Sequence, residues 1–240
     1  MARHFVGLDM IEAVRQSEAG MAIPITERLK EATRTLHTEV ERAGVMRLLL
    51  RGQLERVEYC CMLRNFHAIY GELERGFVRH ASHPALVALH CEPLFRSKAL
   101  REDLNVLHGA DWADSIALTE AAKSYVEHLH GLSERTPLML GAHAYVRYLG
   151  DLSGGQMLTR IVTRSFDLPP GEGVNFYAFG GVDDVKCLAQ TFRLGLDRLA
   201  DTESSAQGLV DEACAAFTRH RSLFEELASP YQPATRPGSR

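Results

Sequence analysis

Long apolar runs are missing from this 240-residue chain. No stretch approaches the roughly 18 apolar residues that a membrane-crossing helix needs, so no stable membrane insertion is expected. The first residues carry Arg3 but no apolar block before Asp9, and no secretory signal is read there. Cysteine shows no pairing pattern. There are five, an odd number; Cys60 and Cys61 adjoin, and no Cys-x-x-Cys occurs. That usage suits free thiols in a reducing compartment, so a cytoplasmic location is expected. A positive excess is also missing: the formal net charge is −4, which argues against a nucleic-acid partner. Internal repeats, a phosphate-cradling glycine loop and a Gly-x-Ser-x-Gly nucleophile turn are absent as well.

What is present is helical. A hydrophobic share of 45% is enough for a core, and the length suits one large helical domain. Residues 1–22 are weakly patterned and read either as a short helix near Leu8 to Ala19 or as an arm on the main body. Residues 23–228 form the expected domain. Residues 229–240, rich in proline and polar side chains, are expected to be a disordered tail. Within the domain, Thr26 is expected to cap a helix whose apolar face is Leu29, Ala32, Leu36, Val40 and Ala43, ended by Gly44. Met46 and Leu49 follow as wall residues. Further helices are expected over 56–80, 96–107, 118–132, 136–165, 183–200 (capped by Asp183 or Asp184) and 203–228. Between 173 and 181 lies a glycine-rich aromatic loop. The fold class is therefore all-α.

The most informative stretch is Tyr145-Val146-Arg147-Tyr148-Leu149-Gly150-Asp151-Leu152-Ser153-Gly154-Gly155-Gln156. It sits in the middle of the helix expected over 136–165. Each of its glycines costs roughly 1 kcal/mol against alanine in a helix interior. Gly150 and Gly154 are four apart, share a face and permit close approach to the backbone. A glycine cluster also permits a bend. Asp151 projects over nearly the same bare surface, with Arg147 one turn behind it. Close packing of two helices through small residues explains the spacing equally well. Far upstream, His37 lies at the edge of the first apolar face. Lys30 is two turns below it, about 10 Å along the axis, and Glu41 is one turn above it. A lone helical histidine is ordinarily solvated or hydrogen-bonded. His143 lies two turns before Asp151 and is read as packing against a neighbour. His67, His80, His83 and His90 read as structural or surface residues. Glu127 to His130 is a formal Glu-x-x-His, but di-iron bundles need two such motifs and only one is found, so a solvated helix face is the better account.

The stretch 145–156 resembles the distal-helix signature of the haem oxygenases. Leu29 to Glu39 resembles the proximal helix of the same family, and the likeness extends over roughly Thr26 to Leu227. The resemblance implies a single-domain helical bundle with haem b, both substrate and prosthetic group, held between proximal and kinked distal helices. It places His37 at the iron as axial ligand, with Glu41 as an outer partner. Lys30 and Arg193 fall on propionate-holding positions, with Tyr145 nearby. Gly150, Gly154 and Gly155 line the distal side where O2 binds. Asp151, steadied by Arg147 and Tyr70, holds a water beside it. Met46, Phe217 and Phe224 line the pocket. Where the family commonly has a lysine, this chain has Ala189; Lys186, one turn earlier, is the available substitute. The implied activity is cleavage of haem to biliverdin, carbon monoxide and ferrous iron, with electrons from a reductase or ferredoxin. The alternative is a non-degrading haem carrier or sensor, against which Asp151 and the three glycines argue.

Overall fold

A computed structural model describes residues 23–229. The expected arm over 1–22, and the part of the expected tail beyond residue 229, lie outside the described residues. Among the described residues every regular element is helical: α1 (Ile25–Glu41), α2 (Gly44–Leu50), α3 (Arg56–Arg79), α4 (Ser97–Leu107), α5 (Glu120–Arg135), α6 (Leu140–Ala144), α7 (Gly150–Ser165), α8 (Val182–Leu196) and α9 (Glu203–Ala228), with short single turns between them. No helix among them is long and apolar enough to cross a membrane.

Helix starts follow local chemistry. Glu55 and Glu58 form a reciprocal capping box at α3, in which the Glu55 N–H donates to the Glu58 carboxylate at 2.9 Å. Thr119 accepts from the Ala122 N–H at 3.1 Å to open α5, and Thr202 accepts from the Ser205 N–H at 3.1 Å to open α9. Thr26 is not a cap, contrary to expectation. The helix begins one residue earlier, and both the Thr26 N–H and its hydroxyl donate to Asp197, 171 positions away. The expected cap at Asp183 or Asp184 is likewise displaced, because α8 starts at Val182 and Asp184 accepts from the Gly181 N–H at 2.8 Å.

The core is organised on α3, which is flanked by α4 and α5 and buries Tyr59, Phe66, Tyr70 and Phe77 completely or nearly so. Long α9 runs against α1, α2 and α6. Gly44 does not end α1, which stops at Glu41; it opens α2 at φ +37°. A Cβ on it would sit 1.7 Å from the Phe224 carbonyl oxygen, so only glycine lets α2 start against α9.

The helix expected over 136–165 is not continuous. A 3₁₀ turn at Pro137–Met139 leads into α6, and between α6 and α7 lie five residues of π-helix, Tyr145–Leu149. The irregularity thus precedes the glycines rather than coinciding with them. A π-turn widens the helix by one residue per turn and is a recognised cause of bending.

Candidate functional site

A cleft separates α1 from the π-turn and the start of α7. Its larger chamber, about 600 Å³, is lined by Lys30, Arg34 and His37 on one wall and by Tyr145, Leu149 and Gly150 on the other, with Arg193 at its rim. A smaller chamber of about 280 Å³ continues inward past Glu41 and Met46 to Arg147, Asp151, Gly154, Phe217 and Phe224. His37, Val146, Gly150, Ser153 and Phe217 border both chambers, so the two adjoin. Spacings of three, four and seven from Lys30 put Thr33, Arg34 and His37 on one stripe of α1.

The His37 side chain is half exposed, at 53%. Its Nδ1 lies 3.7 Å from a Glu41 carboxylate oxygen, and its ring meets the Phe217 ring edge-on at 6.0 Å. Among the described residues no hydrogen bond reaches Nε2.

The glycines divide into two roles. A Cβ on Gly150 would have no atom within 4 Å, and one on Gly154 would meet only the tip of Leu158 at 3.8 Å. Both therefore present bare backbone to the space. Gly155 does not, contrary to expectation. It is buried on the other side of α7, where a Cβ would come 3.3 Å from the Tyr177 carbonyl oxygen. Its lack of a side chain serves helix packing against the turn Asn175–Tyr177, whose Asn175 and Phe176 N–H groups donate to Asp103 at 2.8 and 2.7 Å.

Behind the bare wall sits a closed polar cluster. The Tyr70 hydroxyl donates to Asp151 Oδ2, Arg147 donates to Asp151 Oδ1 at 3.0 Å, and the Arg147 Nε–H donates to the Tyr70 oxygen at 2.8 Å. The Arg147 guanidinium also lies over the Phe66 ring, 4.4 Å from its centre. Burial pushes the Asp151 carboxyl up from its ordinary value, against the opposing pull of Arg147 and Tyr70. Burial alone would lower Arg147, but Asp151 and Tyr70 outweigh it and hold the guanidinium charged.

At the rim, Arg193 and Lys30 are exposed. Ala189 is buried and has no polar atom to offer. Lys186 lines an adjacent depression rather than the cleft, within 3.7 Å of Asp183. Phe217 and Phe224 both line the inner chamber, as does Met46.

Two site residues escape a reading for motifs. Arg34 lies four residues after Lys30 and three before His37, a spacing that marks it as a third cleft-facing position. His220 is three after Phe217 and four before Phe224, on the same stripe of α9. It borders the inner chamber, is 1% exposed, and its Nδ1 has no hydrogen-bond partner. His143 packs against neighbours, as expected: it is fully buried and bonded to Tyr125 and Glu212.

The space suits a flat, largely apolar ligand with acidic groups at one edge. The volume falls within the roughly 300–1,000 Å³ of small-molecule sites, with cations at the mouth, apolar walls inside and an open imidazole nitrogen between them. A family model described as heme oxygenase matches residues 23–226. The chain is similar to heme oxygenase 1 of Nostoc sp., 35% identical over 207 residues that cover 86% of this chain and 87% of that one. It is 37% identical to heme oxygenase 1 of Homo sapiens, over 89% of this chain and 75% of the human protein. Among solved structures, heme oxygenase-1 from Synechocystis sp. in complex with heme superposes with a TM-score of 0.80 at 32% identity, covering 85% of this chain and 92% of that one. Heme oxygenase from Leptospira interrogans gives 0.81 at 32% identity, covering 85% and 100%.

Proposed function

Given that the chain belongs to the haem oxygenase family, we propose that its cleft takes haem with the propionate edge at the Lys30 rim and the iron beside His37. The enzyme degrades haem. Haem bound there supplies, with O2 and electrons from a reductase or ferredoxin, the oxidising chemistry that opens its own ring to biliverdin, carbon monoxide and ferrous iron.

The chain's own residues have separable tasks. His37 ligates through Nε2 as a neutral imidazole, while Glu41 steadies its Nδ1 side. Lys30, Arg34 and Arg193 hold the propionates, Arg34 and Arg193 offering forked donors. Tyr145, whose hydroxyl lies 3.3 Å from that of Thr33, closes the wall between them. Gly150 and Gly154 leave room for O2 against bare backbone. Asp151 has one lone-pair site on each oxygen used by Tyr70 and Arg147; a carboxylate offers about four, so it retains capacity to hold a water at the cavity side. That water would donate a hydrogen bond toward the oxygen side. Met46, Phe217 and Phe224 keep bulk water from the inner chamber.

The observation that carries this reading is the bare Gly150 backbone sharing both chambers with His37. The test is to add haem, then ascorbate in air, and follow the absorption spectrum. Loss of the haem band with growth of a biliverdin band is expected. Haem that binds and survives overturns the proposal.

A further inference from the structure

Three ligand-type side chains outside the haem cleft converge on one point. They are His128 of α5, His143 of α6 and Glu212 of α9, and their ligand atoms all lie within 4.8 Å of one another. Glu212 Oε1 accepts from both imidazoles, at 2.6 Å from His128 Nε2 and 2.8 Å from His143 Nε2. Three different helices deliver these groups, so the convergence belongs to the tertiary fold. The site has a closed back and an open front. The His143 side chain is 1% exposed, Glu212 16% and His128 25%, so an ion has a route in past His128.

The buried ligand is also oriented from behind. His143 Nδ1 is 2.8 Å from the Tyr125 hydroxyl, which in turn lies 3.3 Å from His220 Nε2. An outer partner on the far nitrogen is what aims a metal-binding imidazole. The neighbouring Glu-x-x-His pattern is not involved: His130 turns instead to Glu72 at 3.0 Å and Glu134 at 3.2 Å.

We propose that His128, His143 and Glu212 form a binding site for a divalent transition-metal ion of borderline softness, of the Zn²⁺ or Fe²⁺ class, separate from the haem. Two imidazole nitrogens and one carboxylate oxygen suit such ions and leave coordination positions for water. Metal–ligand distances of about 2.0–2.2 Å set tetrahedral neighbours roughly 3.3 Å apart, so the two hydrogen-bonded pairs must spread by well under about 1 Å while the two imidazole nitrogens, within 4.8 Å of each other, draw together. His128, at the solvent edge, supplies that movement. Each imidazole then binds through Nε2 as the tautomer carrying its proton on Nδ1. For His143 that proton points at the Tyr125 oxygen, and the Tyr125 hydroxyl turns its own toward His220.

Co²⁺ is the probe, because it takes the same ligands and absorbs in the visible. It is titrated into the haem-free full-length chain carrying no oligohistidine tag, with its thiols alkylated. The expected result is a saturable visible band at one Co²⁺ per chain, displaced by Zn²⁺, and a Tm that rises with Zn²⁺. His128→Ala and Glu212→Gln each weaken Co²⁺ binding by at least about tenfold, the lower bound for losing even an outer-layer partner. Circular dichroism identifies a variant that fails to fold, in which case His128→Gln replaces His128→Ala. No saturable band, or affinity within threefold of the parent in the folded variants, overturns the proposal.

Discussion

Tyr70 on α3 and Asp151 on α7, 81 positions apart, are hydrogen-bonded to each other inside the protein, and Arg147 touches both. The carboxylate is therefore fixed before any ligand arrives, which is the condition for electrostatic preorganisation.

Asp151→Asn keeps the shape and removes the charge. Biliverdin formation is expected to fall at least tenfold, with haem affinity within threefold of the parent. Asp151→Ala also strands Arg147, a loss of about 3–5 kcal/mol in urea unfolding. Adding Arg147→Leu should restore part of that stability and none of the activity. An unchanged biliverdin yield in Asp151→Ala removes the water-holding role.

His37→Ala should leave the stability of the haem-free chain almost unchanged, since the side chain is half exposed. Haem binds more weakly, with an altered spectrum, and turns over only when imidazole is added. Full activity without imidazole rules out axial ligation by His37.

Gly150→Leu and Gly155→Leu should behave oppositely. Gly150 faces open space, so leucine there gains up to about 1 kcal/mol of helix propensity while blocking haem, and affinity falls at least tenfold. At Gly155 the side chain runs into the Tyr177 backbone, so stability falls first. Thermal melts and haem titrations of the two variants separate the roles.

His67 packs against Trp112, with ring centres 5.0 Å apart, and burial, then Arg64, Arg101 and Arg75, bring its pKa down to about 4. The unfolded chain binds this proton near the ordinary 6.5, so the contribution is intact above 6.5 and is lost as pH falls toward 4. NMR titration should give a His67 midpoint near 4, and His67→Gln should flatten stability between those two pH values. A midpoint near 6.5 contradicts this.

Much of this arrangement was legible in the residues. The bounds of α9 match the 203–228 that the apolar spacing gave, and α3 differs from expectation by one residue. Helical period alone also put Lys30 and His37 on one stripe. The failures share a cause. Thr26 is spent on Asp197, Gly155 on Tyr177 and Gly44 on Phe224, partners far away in sequence that no local pattern announces. The His128–His143–Glu212 cluster was equally hidden, because its members come from three helices with no common spacing.

The π-turn at Tyr145–Leu149 acts as a length gauge. One amino acid beyond the ordinary count is taken up there as a wide turn; were the same residues forced into a regular α-helix, everything downstream would swivel by about 100°. The carboxylate and the naked backbone would then face the wrong way with every other side chain intact. Catalytic competence in this chain is thus a matter of counting as much as of composition.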